Sequence, residues 1–299
     1  MMTLAQFMAT FPTEESCRQY LVERRWPDGV KCPRCGTGEH AYKLRTQAFK
    51  WECANPKCRK GHAYRFSVTT ATVFENTKIG LVTWFKVLYV MLTSKKGVSS
   101  RQVRRQFFGE QSSTRTAWYV GHRLRAAMHD AEFRQLMGIV EVDETFVGGK
   151  DKNPHASKKT HVRGGGKSGK VDVIGAISRK ANVVCQIIES TDTATLDSFV
   201  RQTVGDDLSL VATDEHSGYR PVKPSGIPHE AVSHGQGEYA RGEVRTNSIE
   251  SFWSLLKRGI TGQFHHVSKK YLALYLAELQ FRHNHRKNPD IFGEAIAGC

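Results

Sequence analysis

No apolar run in this chain is long enough to cross a membrane. The most apolar, Ile79–Thr93 ("IGLVTWFKVLYVMLT"), falls short of the ~20 residues a spanning helix needs, and it carries Lys86. The opening residues, "MMTLAQFMATFPTEESC", lack a basic stretch followed by an apolar one, so no signal peptide is expected and the chain is placed in the cytoplasm. That compartment excludes a disulfide framework. The seven cysteines are then reduced thiols or metal ligands. Acidic residues are the other shortage: 29 Asp+Glu stand against 44 Lys+Arg, a formal charge of +15. Such an excess serves solubility, but it also favours a polyanionic partner, nucleic acid first. With 299 residues, 39% apolar and 24% charged, the chain reads as globular, with two or three modest domains.

Four cysteines cluster. "CPRC" supplies Cys32 and Cys35; "CANPKC" supplies Cys53 and Cys58. Two short knuckles on either side of a strand-like stretch, "AYKLRTQAFKWE", describe a zinc ribbon, in which four thiolates close a tetrahedral shell around one Zn²⁺. A closed shell leaves no position for substrate, so this zinc is structural. His62 lies near the second knuckle, but four cysteines suffice. Cys17, Cys185 and Cys299 are isolated.

From Ile79 to Met128 the pattern is helical. Ile79–Thr93 is apolar nearly all round, as a core helix should be. "VSSRQVRRQF" follows, with Ser99 or Ser100 as N-cap. After a turn near Gly109, "SSTRTAWYVGHRLRAAM" has Ser112 or Ser113 as N-cap. Two short helices joined by a glycine turn fit a DNA-reading helix-turn-helix, in which Arg115, Arg123 and Arg125 contact phosphates or bases. A helical connector with a solvated basic face fits the same residues.

Beyond Gly138 the period changes to two. "IVEVDETFVGG" is a strand containing Asp143; Glu141 and Thr145 share its face and Glu144 points away. A hairpin turning near Lys180–Asn182, an amphipathic helix, a strand ending at Asp214, a short strand and two helices follow. This order, mixed α/β within an α+β multidomain chain, suits a ribonuclease-H-like fold. The expected domains are 1–74, with the ribbon at about 28–70; 75–135, helical; and 138–290, carrying a basic insertion at 150–170.

The helix "TNSIESFWSLLKRG" separates its residues by chemistry. Ile249, Phe252, Trp253 and Leu256 form an apolar stripe; Asn247, Glu250 and Lys257 lie on a polar face beside it, Glu250 and Lys257 about 20° apart at 100° per residue. A capping box, with Asn247 as N-cap and Glu250 reaching back, would account for two of them without chemistry. Thirty-five residues separate Asp214 from Glu250, and Lys257 follows seven later.

With that spacing the chain resembles a bacterial insertion-sequence transposase of the DDE type, from the group that joins an N-terminal zinc ribbon to a ribonuclease-H-like (integrase-type) catalytic domain. The pieces that carry the resemblance are "CPRC…CANPKC", "VEVDETFVGGK", "ATDEHSGY", "TNSIESFWSLLKRG" and "HHVSKKYLALYLAELQFRHNHR", reaching from about Lys31 to Arg286. It implies Asp143, Asp214 and Glu250 as catalytic ligands of two Mg²⁺ (or Mn²⁺) ions and Lys257 as a phosphate contact. Some members use asparagine as the third residue, where Asn247 stands. It further implies hydrolysis that frees a 3′-OH at the element's end, joining of that 3′-OH to target DNA, double-stranded DNA as partner, and a homodimer or larger synaptic assembly at the nucleoid. The basic stretch Lys150–Lys170, with seven Lys/Arg and one Asp, reads as an arm gripping DNA backbone through Lys158, Lys159, Arg163, Lys167 and Lys170, and Arg258 extends the basic surface. Its "GGGKSGK" lacks the full spacing and the strand–helix frame of a P-loop, so ATP binding is excluded. The competing reading is a zinc-ribbon, helix-turn-helix regulator with an inactive catalytic domain.

Overall fold

The computed structural model describes residues 1–128, 135–148, 170–179, 181–214, 219, 226–232 and 244–299. They fall into two compact units, Met1–His129 with Lys287–Cys299, and Asp130–Arg286.

The first unit opens with α1 (Leu4–Thr10) and α2 (Glu14–Arg25), each started by a reciprocal cap, Thr3 with Gln6 and Thr13 with Ser16. A three-stranded antiparallel sheet follows: β1 (Ala41–Lys43), β2 (Lys50–Cys53) and β3 (Tyr64–Ser67). The stretch between the cysteine pairs is thus a hairpin, with Lys43 opposite Trp51. Then comes α3 (Leu81–Thr93), whose Trp84, Phe85, Val87, Leu88 and Met91 are fully buried. Its N-cap, Gly80, has no side chain to offer. The carboxylate of Glu14 substitutes from α2, accepting from the Leu81 N–H at 2.8 Å and the Val82 N–H at 3.0 Å.

Next, α4 (Ser100–Val103) runs on through a π-helical turn, Arg104–Phe108, to Gly109 at φ 76°, and α5 (Thr114–Ala127) begins after it. Ser99 and Ser113 are the two caps, accepting from the Gln102 and Arg115 N–H groups. The expected pair of helices and glycine turn are present, though the first helix is a single α-turn.

The second unit is a five-stranded mixed sheet with helices on both faces. In chain order it comprises β4 (Leu136–Val147), β5 (Val171–Ser178), β6 (Val183–Ile188), α6 (Thr193–Thr203), β7 (Val204–Asp214), β8 (His229–Val232), α7 (Asn247–Gly259) and α8 (Leu272–Asn284). The strands lie in the order β6-β5-β4-β7-β8; β4–β5 and β5–β6 are antiparallel, β4–β7 and β7–β8 parallel. That order and those directions are the ribonuclease-H-like arrangement expected from the element sequence.

Strand parity assigns the faces. Val140, Val142, Ile174, Ala176 and Val211 pack under Leu196, Phe199 and Val200 of α6. Val147, Val173 and Ile177, on the opposite face, pack under Ile249, Phe252, Trp253 and Leu256 of α7 and Leu272, Leu276 and Leu279 of α8. The α7 stripe is therefore the predicted one, buried to within 4% of its surface. On the edge strand β6, α8 supplies the missing ladder partners. The Gln280 carbonyl accepts from Cys185 N–H at 2.9 Å, and the Asn284 amide exchanges bonds with both backbone groups of Val183.

A last helix, α9 (Ile291–Ala297), belongs to the first unit. Phe292 sits among Phe7, Phe11, Tyr20 and Phe85 with ring centroids 5.3–6.1 Å away, and Arg24 pairs with Asp290. Sequence reading ended the catalytic segment at 290 and gave this helix no role.

Candidate active site

The sulfurs of Cys32, Cys35, Cys53 and Cys58 lie within 4.8 Å of one another, with Cys32–Cys58 at 3.9 Å and Cys35–Cys53 at 3.8 Å. A tetrahedron with metal–sulfur bonds of about 2.3 Å has edges of about 3.8 Å, so the spacing is that of a zinc shell. It is nearly twice the roughly 2.05 Å of a disulfide bond. Each knuckle is turned by its own backbone: the Gly36 N–H reaches the Cys32 carbonyl at 2.8 Å, and the Cys58 N–H reaches the Asn55 carbonyl at 2.9 Å. His62 is not part of the set. Among the described residues, these four alone form a group of three or more His, Cys, Asp or Glu side chains drawn close enough to hold an ion.

In the second unit, register brings the first two acids together. Along the parallel β4–β7 ladder Val140 pairs with Val211 and Glu141 with Ala212. Two residues on, both strands reach an aspartate: Asp143 on β4 and Asp214, the last residue of β7. Equal steps preserve parity, so both carboxylates leave the same face, at neighbouring strands whose spacing is about 4.8 Å. The neighbour of Asp143 on its other side is Gly175, its partner on β5. A Cβ there would stand 2.6 Å from the Trp253 ring and 3.2 Å from Ile249, so the bare glycine is what lets α7 lie flat beside Asp143.

The third acid enters from α7. Its N-cap is Thr246, not Asn247, and the cap makes no side-chain bond to the helix backbone. The capping box weighed from sequence is therefore absent: Asn247 is already the first helical residue. Instead the Thr246 hydroxyl donates to the Glu250 carboxylate at 2.9 Å and draws it back toward the start of the helix. Asn247, Glu250, Lys257 and Arg258 are all exposed.

Electrostatics register the proximity. Burial pushes the Asp143 carboxyl up to about 7; the charges of Asp214, Glu144 and, more weakly, Glu250 add to the rise, while the Glu144 N–H, donating at 2.8 Å, opposes it. The buried Tyr219 hydroxyl is likewise held well above its usual range, by burial and by Glu144, Asp143 and Asp214. The donor set, half-buried Asp143 and Asp214 on neighbouring strands with the exposed Glu250 on α7, is all oxygen and suits a divalent cation.

The Asp143 shift has a thermodynamic consequence. Between about pH 4 and pH 7 the folded chain retains a proton that the unfolded chain has released, so Asp143's contribution makes the ion-free protein less stable as pH rises through that window. We expect Mg²⁺ to raise the melting temperature at pH 8 and to do so far less at pH 5. Melting curves at both pH values, with and without Mg²⁺, check this, and an equal rise would contradict it.

The basic residues divide. Arg115 is exposed on α5. Arg123 is committed internally, donating to the Glu75 and Thr72 carbonyls and to the Tyr119 hydroxyl. Arg125 is only 2% exposed, folded back over Gly121 of its own helix. Both side chains are thus engaged within their own unit, Arg125 by burial and Arg123 by its bonds. Lys170 is half-buried just before β5, and Lys158, Lys159, Arg163 and Lys167 lie outside the described residues. Sequence reading missed two residues. Tyr219 closes the quoted "ATDEHSGY" without having been given a role. Glu141 was noted only as sharing Asp143's face.

Two protein families match along the chain. A transposase zinc-ribbon domain matches residues 12–61, and the ISXO2-like transposase domain matches residues 135–284. A relative, described as an uncharacterized protein in transposable element ISH50 of Halobacterium salinarum, is 27% identical over 294 residues, 94% of each chain. That relative is archaeal, whereas the resemblance implied a bacterial source. A solved chain from a simian T-cell lymphotropic virus intasome, in complex with a PP2A regulatory subunit, overlaps 58% of this chain and 63% of its own at 11% identity. The TM-score is 0.31. No described helix is long and apolar enough to cross a membrane. The ISXO2-like match spans half of the residues and contains both aspartate strands and α7, and on that ground the chain belongs to the ISXO2-like family of DDE transposases, with a transposase zinc ribbon at its N-terminal end.

Proposed function

We propose that the chain cuts the ends of its own mobile element and joins them to target DNA, using Asp143, Asp214 and Glu250 as the ligands of two divalent ions. The observation that carries this reading is the β4–β7 register, which sets two aspartates side by side at the end of a parallel pair, with α7 docked beside them. Two Mg²⁺ or Mn²⁺ ions would supply activation of the attacking oxygen and stabilisation of the leaving oxygen in an in-line displacement at phosphorus.

The protein's own residues set the geometry. Asp143, flanked by Asp214 and with α7 beside it, would hold the ions together with Asp214 and Glu250. Glu250 leaves the Thr246 hydroxyl to do so, a rotation of one exposed side chain. We assign the third position to Glu250 rather than Asn247 because a carboxylate binds a hard cation better than an amide, and because its charge reaches Asp143. Lys257 and Arg258, one face-repeat along α7, are placed for a backbone phosphate. Water first cleaves the strand and leaves a 3′-OH; that hydroxyl then attacks a target phosphodiester. No serine or tyrosine need form a covalent bond to DNA. Arg115 and Tyr119, one helical turn apart and exposed on α5, are the side chains we assign to reading the element end, with DNA backbone held along the basic stretch.

A labelled duplex carrying the inverted repeats that flank the reading frame tests this. With Mg²⁺ the expected products are a nicked end and a larger joined species, both resolved on a denaturing gel. Tight binding without either product supports the regulator reading, and cutting without joining indicates a nuclease.

A further inference from the structure

Glu141 is completely buried, although a carboxylate is among the groups least tolerated without solvent. Four bonds hold it. Oε2 accepts from the Ser248 N–H at 2.7 Å and the Ile249 N–H at 3.2 Å; Oε1 accepts from the Ser248 hydroxyl at 3.0 Å and from Arg179 Nε at 3.1 Å. Ser248 and Ile249 are the second and third residues of α7, whose backbone N–H groups have no partner within the helix and whose N-cap residue supplies none. A strand residue 107 positions away therefore does the work of the cap, as Glu14 does for α3. The carboxylate also meets the positive end of the α7 dipole, and Arg179 balances its charge.

This bond set has a geometric effect on the site. Glu141 lies two residues before Asp143 on the same face of β4, and Ser248 lies two residues before Glu250 on α7. We propose that Glu141 is a positioning residue that fixes the start of α7 to the strand bearing Asp143, and thereby sets where the Glu250 carboxylate stands. The proposal rests on the ion-binding reading above. Without this tie, α7 would still be held by Ile249, Trp253 and Gly175, but only through apolar contacts, which are non-directional and fix no angle for the helix's first turn. With it, two backbone N–H groups and a hydroxyl are aimed at one strand position. The first turn, which carries Glu250, is then tied by hydrogen bonds to the strand that carries Asp143.

Glu141→Gln is the main probe, because it keeps shape and one acceptor oxygen but loses the charge that Arg179 and the helix terminus share. Glu141→Ala removes all four bonds. Ion binding is read directly, by titrating the full-length protein with Mn²⁺ and following the free-ion electron paramagnetic resonance signal, so that DNA cleavage is not the only readout. We expect Mn²⁺ affinity to fall about tenfold in Glu141→Gln and further in Glu141→Ala. The decisive comparison uses Glu250→Gln as background. If Glu141 acts through Glu250, adding Glu141→Gln to Glu250→Gln changes affinity by less than twofold; independent additive losses mean that Glu141 does not act through Glu250 and overturn the proposal. Unchanged Mn²⁺ affinity in both folded Glu141 variants also overturns it. If the wild-type protein itself binds no Mn²⁺ in this second unit, the ion-binding reading fails first, a result distinct from either.

Discussion

Asp143→Asn and Asp214→Asn should each reduce cleavage of a terminal-repeat duplex by about 10³-fold or more, near 4 kcal/mol of transition-state stabilisation at about 1.4 kcal/mol per tenfold, while leaving duplex affinity within a few-fold of wild type. The separation follows from placement. Asp143 lies within β4 and Asp214 ends β7, whereas the exposed cations assigned to DNA are on other elements: Arg115 on α5, Lys257 and Arg258 in the last turn of α7. With divalent ions left out, removing a negative charge from a site proposed to meet phosphate cannot weaken binding electrostatically, so affinity measured in that condition should hold or rise. Stability should not fall either. Asp143 is pressed toward protonation by its surroundings, and a neutral amide of the same shape relieves that repulsion. The expected pattern is thus lost chemistry, retained binding and an unchanged or raised melting temperature. A parallel loss of binding and melting temperature would show that these aspartates hold the sheet together.

Much of the fold that carries the candidate site was readable from the chain, because its parts are encoded locally. The strand in "IVEVDETFV", the strand ending "LVATD" and the α7 stripe each carry their own periodicity, and the spacing of Asp214, Glu250 and Lys257 tied them together. The four cysteines were legible for a similar reason: two pairs at short spacing leave few arrangements for four thiolates. What sequence could not show depended on distant partners. The cap of α7 comes from Glu141 and that of α3 from Glu14, whereas local rules look only three or four residues away; Asn247 therefore looked like an N-cap when it is not. Strand parity had marked Glu141 as facing the same way as Asp143, but two carboxylates on one face are indistinguishable until the packed helix decides which is enclosed. The arginines of α5 show the same limit. Arg115, Arg123 and Arg125 are equally basic in the sequence, and only packing shows that two of them point into their own unit. The closing helix was lost because its apolar residues gain meaning only against Phe7, Phe11 and Phe85, more than 200 residues away.

Stripping the zinc should produce the largest change in structure. The ribbon's strands are three, four and four residues long, and its apolar packing is little more than Trp26, Trp51 and Phe66, with ring centroids 5.3–6.1 Å apart. Aromatic pairs of this kind contribute about 0.5–1.5 kcal/mol each beyond their burial. Structural zinc in small folds contributes on the order of 10–16 kcal/mol, comparable with the whole 5–15 kcal/mol stability of a typical domain. So Cys32→Ser, or a strong chelator on the wild type, should melt the ribbon outright and broaden the near-ultraviolet signal of Trp26 and Trp51. Binding to element ends should drop by at least about tenfold, since a folded ribbon belongs to the unit to which end recognition is assigned. The second unit has its own core and should keep its sheet, so Mn²⁺ binding at Asp143 and Asp214 survives as an internal control. Cys299→Ser, whose thiol bonds the Ala295 carbonyl at 3.1 Å and lies outside the cysteine set, should retain one zinc per chain by elemental analysis. Wild-type protein that holds no zinc yet shows an ordered ribbon would mean that the four sulfurs, spaced as they are, are packed for some purpose other than a metal.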